Sequence, residues 1–105
     1  MEEALVERFN SYLERGDRLM EEGRYREAFE AFLDALNTLG ALMVYRDTGM
    51  LVPSDRLTGF LGRYPELEEA IRRYSGLTGD EETATALREE LERLRGMMSL
   101  PSSER

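Results

Sequence analysis

The feature that most constrains the fold is the segment between Gly23 and Gly49, which contains no proline and a single internal glycine. Most of its positions from 28 to 45 are apolar. Its polar positions form one narrow strip at helical spacing: Glu27, Glu30, Asp34 and Asn37. A helix that is apolar over most of its circumference must be covered by several neighbours. The sequence therefore predicts a central helix, ending near Asp47, around which the rest of the chain packs.

Two signals place a helical hairpin at the start of the chain. From residue 2 or 3 to Met20, apolar residues recur at helical spacing, and Gly23 followed by Tyr25 predicts a short connection between antiparallel helices. Gly16 lies on the apolar side of the first helix, where glycine costs about 1 kcal/mol relative to alanine. We therefore expect a neighbouring helix to approach closely at Gly16.

The chain after the central helix predicts a shorter, interrupted helical region. The apolar connector 50–53 is expected to lie against the bundle, with Ser54 or Asp55 as the cap of the piece that follows. Pro65 removes an amide donor and forces Tyr64 out of helical geometry. The third helix is therefore predicted to be broken near Pro65.

The last predicted helix begins near residue 80. Thr78 with Glu81 matches a capping box, and Asp80 is an alternative cap. The apolar positions of this helix form one narrow stripe: Ala84, Leu87, Leu91, Leu94 and Met98. Such a stripe covers a bundle from outside or contacts a second subunit.

Together these segments predict an all-α fold, an up-and-down bundle of four main helices with the third helix broken near Pro65. We expect one domain over residues 1–98 and a flexible tail over residues 99–105, which has nothing to bury. No segment has the roughly 18 apolar residues that a membrane span needs, and the start of the chain lacks the pattern of a secretory signal. The expected location is the cytoplasm.

The residue types that are missing restrict the chemistry. The chain has no histidine, lysine, cysteine, tryptophan or glutamine, and all 14 basic side chains are arginine. Without histidine or lysine no serine has an obvious activating base, and no glycine motif of the phosphate-binding kind is present. We therefore expect a protein that is not an enzyme and uses no cofactor. The same composition favours a thermophilic source, and a melting temperature well below about 70 °C would contradict that.

Two features of the charge pattern are interpreted as ordinary surface. Glu27, Glu30 and Asp34 share one strip of the central helix and supply the oxygen ligands that magnesium prefers. We interpret this strip as solvated and predict no metal, because 22 acidic residues make some clustering inevitable. The net charge of −8 repels phosphate polyanions, so nucleic acid is disfavoured as a partner.

Residues 9–39 resemble a single tetratricopeptide-repeat hairpin. Five residues stand at the relative positions of that repeat's packing residues: Tyr12, Gly16, Ala28, Phe32 and Ala35. Met50 and Gly62, one repeat length of about 34 residues further on, do not continue the pattern. Since repeat arrays need about three units, the resemblance implies an isolated repeat-like hairpin inside another fold, or an adaptor built on it.

A longer resemblance covers about residues 9–75. Three phrases carry it in order: EEGRYREAF between the first two helices, YRDTG at the end of the second, and MLVPSDRL before the third. That order resembles the HEPN domains, small helical bundles of bacteria and archaea. Many of them resemble ribonucleases with an arginine followed a few residues later by a histidine, and others are partners of nucleotidyltransferases. No histidine follows Arg72 or Arg73 here, so the resemblance implies a non-catalytic member.

A candidate binding site lies in the middle third of the chain, which is its least acidic part. The site consists of Arg46, Arg56, Arg63, Arg72, Arg73 and Tyr74, with Tyr45 and Tyr64 nearby in sequence. Guanidinium groups pair with phosphate and stack on bases, so these residues predict a cleft for a nucleotide, an RNA end or an acidic partner. The simpler interpretation is that each arginine pairs locally, with Asp47, Asp55, Glu68 or Glu69.

The predicted function is a non-catalytic, HEPN-like interaction module. It binds a protein partner, with a nucleotidyltransferase as one candidate, or self-associates through the stripe of the last helix. The alternatives are a nucleotide- or RNA-binding domain that uses the arginines of residues 46–73, and a tetratricopeptide-like adaptor. Residues 39–46 discriminate among these hypotheses: if residues 50–64 cover them the bundle is self-contained, and if they are open they form a partner-binding surface.

Overall fold

The structure is a computed structural model, and it describes residues 1–100. That part of the chain is all helical and contains no strand, which confirms the predicted all-α class. It has five helices in chain order: α1 (Glu2–Glu21), α2 (Tyr25–Thr48), a 3₁₀ helix (Ser54–Phe60), α3 (Pro65–Ser75) and α4 (Glu81–Met97). The chain leaves helical geometry between Phe60 and Pro65, where the break was predicted, and Pro65 is the first residue of α3.

α1 and α2 form an antiparallel hairpin that turns at Gly23. This residue has a φ of 76°, a left-handed conformation that glycine adopts without a Cβ clash. Close approach at Gly16 is confirmed, because a Cβ atom there would lie 2.6 Å from Cδ1 of Phe32 on α2. At the far end of the hairpin, Arg46 Nε lies 2.9 Å from a carboxylate oxygen of Glu2. These two contacts fix the register between the helices.

α2 is the central helix, as predicted. It contacts α1, the 3₁₀ helix, α3 and α4, and 12 of its 24 residues are buried. Its second half is covered within the chain: a Cβ atom at Gly40 would lie 3.2 Å from Leu57 and 3.3 Å from Ile71. The hydroxyl of Tyr64 also donates a hydrogen bond of 3.0 Å to Asp47. The bundle is therefore self-contained at this end of α2.

The apolar stripe of α4 packs inside the same chain. Its buried members are Ala84, Leu87, Leu91 and Leu94. Two side-chain contacts then join α4 to α1. Arg88 Nε lies 2.8 Å from Asp17 Oδ1, and this carboxylate raises the pKa of Arg88. Arg95 Nη1 donates to Asn10 Oδ1 at 3.2 Å. The stripe thus packs within the chain and covers the bundle from outside, the first of the two roles predicted for it.

Two predicted helix caps are wrong. α4 begins one residue after Asp80, whose carboxylate accepts a hydrogen bond of 2.8 Å from the Thr83 amide, so the alternative cap is the one used. Thr78 lies too far before the helix to cap it and contributes only its carbonyl, which accepts from Thr83 Oγ1 at 3.0 Å. Ser54 and Asp55 do not cap the 3₁₀ helix, because it starts at Ser54 and a proline occupies the capping position.

The two segments that flank the bundle also differ from the predictions. In the connector 50–53, Val52 packs against the core, but Met50 and Leu51 keep 49% and 54% of their surface exposed. Leu100, placed by sequence in the flexible tail, is buried, and its amide donates to the Arg95 carbonyl at 3.1 Å. The rest of the predicted tail, residues 101–105, lies outside the described residues. Among the helices of residues 1–100, none has the length and apolar character to cross a membrane.

Candidate functional site

Most of the arginines of the predicted site make ion pairs. The pairs are Arg46 with Glu2 at 2.9 Å, Arg63 with Asp47 at 3.5 Å, Arg72 with Glu68 at 2.8 Å and Arg73 with Glu69 at 3.1 Å. Arg56 has no ion pair within residues 1–100. Tyr74 is buried, and the guanidinium of Arg73 lies 5.8 Å from the centre of its ring. Local pairing therefore holds for three of the five arginines, while Arg46 finds its partner on α1 instead.

The predicted site residues form separate groups. Arg46 and Arg63 lie near the hydroxyl of Tyr64, whose pKa is raised by burial and by its hydrogen bond to a carboxylate of α2. Arg72 and Arg73 lie near the opposite end of α3, about 10 Å along the helix from its first residue. The structure therefore places Arg46 and Arg63 near the start of α3, and Arg72 and Arg73 about two turns further along it.

A groove of about 420 Å³ lies between α1 and α2, where the connector that follows α2 meets the hairpin. It is lined by Leu5, Arg8 and Tyr12 of α1, by Asp34, Asn37, Thr38 and Ala41 of α2, and by residues 51–54. Asn10 and Asp17, which contact α4, lie on the other side of α1. None of the residues in the predicted site lines this groove.

Four polar side chains of the groove have no hydrogen-bond or ion-pair partner within residues 1–100: Arg8, Tyr12, Asn37 and Ser54. Elsewhere in that part of the chain, nine arginines have a carboxylate oxygen within 4.0 Å. A guanidinium offers five N–H donors in a planar fork, and the amide of asparagine offers both donors and an acceptor. The groove therefore gathers hydrogen-bonding capacity that the fold itself does not use.

A carboxyl group forms another part of the groove wall. Burial raises the pKa of Asp34, while Arg15 partly opposes the rise and Glu30 adds to it. The backbone carbonyl of Asp34 accepts a hydrogen bond of 2.8 Å from Thr38 Oγ1. Within residues 1–100 the Asp34 carboxylate makes no ion pair, so it too is available to a ligand.

Apolar side chains complete the groove. Leu5 and Ala41 come from the two helices, and Val52 packs against the core beside them. Leu51 lines the same groove while keeping 54% of its surface exposed. Polar and apolar groups thus line the groove in similar measure, so a ligand there would contact both kinds.

This groove was not predicted from the sequence, although one signal for it is present there. Arg8 has no acidic residue three or four positions away on its own helix, whereas Arg72 and Arg73 do. An arginine without such a neighbour lacks the simplest local partner. The rest of the groove depends on where the chain returns after Gly49, which no local pattern reveals.

The acidic surfaces give no indication of a metal site. A second, more open depression at the start of α4 is lined by Asp80, Glu81, Glu82 and Glu89. Hydrogen bonds from Thr83 lower the pKa of Asp80, whose carboxylate is already used as the helix cap. Within residues 1–100, no group of three or more histidine, cysteine or acidic side chains is arranged to hold a metal ion.

Comparisons with known proteins give no match: neither a family model, nor a curated protein, nor a solved structure matches this chain. The resemblances to HEPN domains and to a tetratricopeptide hairpin therefore stay predictions.

Proposed function

We propose that this protein is a non-catalytic helical interaction module that binds a protein partner in the groove between α1 and α2. The observation that carries the proposal is Leu51, which keeps 54% of its surface exposed at a groove that also holds unpartnered polar groups. The adjacent Met50 keeps 49% of its surface exposed, and contiguous apolar patches rimmed by polar residues mark sites where proteins bind. A partner that covered Leu51 would gain apolar burial and satisfy those polar groups at once.

We infer that the framework behind the groove is an up-and-down bundle, with the 3₁₀ helix and α3 together in the place of the third helix. The contacts of α4 support this arrangement: Arg88 pairs with Asp17, while Arg95, about two turns further on, pairs with the earlier residue Asn10. α4 therefore runs antiparallel to α1, as α2 does. Helices with short connections and this alternation are typical of such bundles.

A non-catalytic role is supported by the side chains that the groove contains. Ser54 is the groove residue that most resembles a nucleophile, and within residues 1–100 it has no hydrogen bond to a base. The chain contains no histidine, lysine or cysteine to supply one. The groove is thus better suited to holding a ligand than to transforming it.

The resemblances suggest which partner classes to test first. The HEPN-like order of segments makes a nucleotidyltransferase the first candidate, and a second copy of this chain is the next. A tetratricopeptide-like adaptor would use the same hairpin. Binding of a nucleotide or RNA by the arginines of residues 46–73 has less support, because four of the five already pair with carboxylates and the net charge is −8.

Site-specific photocrosslinking in an extract of the source cells tests the proposal. A benzophenone side chain at position 51 is expected to form a covalent adduct with one defined protein, identified by mass spectrometry. The matched control is position 77: Leu77 keeps 43% of its surface exposed but lies between α3 and α4 and does not line the groove. Light scattering on the purified protein shows whether the adduct is a second copy.

Two results would contradict the proposal. Absence of an adduct from position 51, or the same adducts from positions 51 and 77, would remove the groove as the binding site. Ribonuclease activity that persists through purification and disappears on changing Arg8 or Ser54 would refute the non-catalytic part.

A further inference from the structure

We infer that the groove selects a partner segment in which an acidic side chain lies next to an apolar one. The carboxylate binds Arg8, and the apolar group packs against Leu51 and Val52. This inference rests on the proposed function, because it names the chemistry of the partner. Three features of the groove carry it: an unpaired cation, neighbouring hydrogen-bond donors, and the position of Asp34 relative to the apolar wall.

The unpaired cation determines the sign of the ligand. Arg8 lines the groove and has no carboxylate partner within residues 1–100, although the chain carries 22 acidic residues against 14 arginines. Nine of the 13 arginines in residues 1–100 have a carboxylate oxygen within 4.0 Å, and Arg8 is the unpaired one that lines the groove. Arginine and carboxylate form paired N–H···O bonds that are about twice as strong as bonds between neutral groups. A carboxylate is therefore the complementary group.

The neighbouring polar groups fit a peptide better than an isolated anion. Asn37 is half-buried, and Tyr12 and Ser54 are further groove residues whose side chains have no partner within residues 1–100. An asparagine amide pairs with the N–H and C=O of a peptide unit, and the hydroxyls donate or accept as needed. A peptide backbone beside the carboxylate would satisfy these groups, which a simple anion would leave unpaired.

The hairpin register sets the order of groups along the groove. With Gly16 packed on Phe32 in an antiparallel pair, Arg8 lies level with residue 40 of α2. The connector that carries Leu51 follows the end of α2, so the apolar wall lies towards the Arg8 end of the groove. Asp34 is about 9 Å from that level along α2, at 1.5 Å per residue.

The carboxylate of Asp34 repels a partner segment that carries several acidic residues in succession. The charged groups that act on its carboxyl are Arg15 from α1 and Glu30 from α2 itself. In an extended segment, 9 Å corresponds to about three residues, so a second acid three positions from the first would face Asp34. The matching segment therefore carries one acid beside an apolar residue and is neutral or basic three positions further on.

A titration of the labelled protein with capped peptides tests this inference. The probes are Gly-Leu-Glu-Ser-Ser-Gly, the same peptide with Gln for Glu, and Gly-Leu-Glu-Glu-Glu-Glu, each followed by amide chemical shifts at low salt. The first probe is expected to shift the amides of residues 37, 41, 51, 52 and 54. The Gln probe is expected to bind about tenfold more weakly, because it loses the charge of the carboxylate and with it the stronger hydrogen bonds to Arg8. The polyglutamate probe is expected to bind more weakly as well.

The protein variants localise the preference for Glu over Gln. Arg8→Gln is expected to abolish it, and Arg8→Lys to leave part of it, because the charge remains while the planar fork is lost. The control is Arg18→Gln, which changes the net charge equally but alters an exposed arginine of α1 that does not line the groove. A preference that survives Arg8→Gln, or that falls equally in Arg18→Gln, overturns the inference. Equal binding of the first two probes does so too.

Failure of this inference can be separated from failure of the proposed function. If position 51 still crosslinks to a partner and Arg8→Gln leaves the yield unchanged, the proposed function stands and the acidic segment is wrong. If position 51 gives no adduct, the proposed function itself fails.

Discussion

The two long sides of the α1–α2 hairpin differ in what satisfies their polar groups. On the side that meets α4, Asp17 and Asn10 bind arginines of that helix. On the groove side, Arg8, Tyr12 and Asn37 have no partner within residues 1–100. On this hairpin, these polar groups are paired where they face α4 and unpaired where they line the groove. In an arginine-rich chain, the partner of each arginine is therefore a better guide to function than the number of arginines.

The largest expected effect contrasts one leucine from each side. Leu91→Ala, in the buried stripe of α4, should lower the free energy of unfolding by about 2–5 kcal/mol, because it leaves a cavity in the core. Leu51→Ala should change it by less than about 0.5 kcal/mol while reducing partner capture. Urea denaturation at two protein concentrations measures both. A small loss for Leu91→Ala, or a loss that depends on protein concentration, would contradict internal packing of α4.

The second effect concerns two glycines inside helices. Gly16→Ala introduces a Cβ atom 2.6 Å from Cδ1 of Phe32, so we expect a loss of about 1–3 kcal/mol from overpacking. Gly96→Ala in α4 meets no atom within 4 Å and should gain up to about 1 kcal/mol from helix propensity. Thermal melts of the two variants check the opposite signs. Equal gains would show that the hairpin is looser than the Gly16 contact implies.

A smaller effect concerns the ion pair between α4 and α1. A double-mutant cycle with Asp17→Asn and Arg88→Gln should give a coupling of about 0.5–1 kcal/mol that decreases in roughly 1 M salt, since both side chains are partly exposed. The control pair, Arg26 and Glu30, is 3.9 Å apart and highly exposed, so its coupling should be close to zero. Similar couplings for the two pairs would remove the distinction between the sides.

The smallest effect is the pH dependence that Asp34 contributes. Because burial raises its pKa in the folded state, the native protein holds this proton more tightly than the unfolded chain. The protonated carboxyl of Asp34 therefore contributes stability below its unfolded pKa of about 3.9. This contribution is lost as the pH rises through the folded pKa. Asp34→Asn should therefore stabilise the protein slightly at pH 7, by no more than about 0.5 kcal/mol, and not at pH 3. Urea midpoints at both pH values test the sign, and destabilisation at pH 7 would contradict it.

The helices were predictable because their signals are local. The periodicity of α2 identified the central helix, and Gly16 indicated a close helix contact before any neighbour was known. Spacing along the helix also predicted the ion pairs of Arg72 with Glu68 and of Arg73 with Glu69, since residues four apart share a helix face. The predicted helix caps that were wrong depended on the exact first residue of each helix. When a helix starts one residue earlier or later, a different side chain occupies the capping position, as at Ser54.

The groove was not predictable, because it is formed by segments distant in sequence. Residues 51–54 line it only because the chain returns to the hairpin after α2. Leucine is usually a core residue, and Leu51 is exposed only because of the course that the chain takes after α2. Similarly, Leu100 reads as part of a polar tail but finds a place on the bundle. Burial of single apolar residues near chain ends and turns is decided by neighbours that sequence spacing does not specify.

The contact between Gly16 and Phe32 also has a consequence for ligand size. It leaves no room for a side chain between α1 and Phe32 of α2, and the groove lies between the same two helices further along. A larger side chain at position 16 would push α1 and α2 apart and so widen the groove between Arg8 and Ala41. The size of the residue at position 16 thus sets the width of the groove. We expect homologous chains with a bulkier residue there to bind partner segments with bulkier side chains.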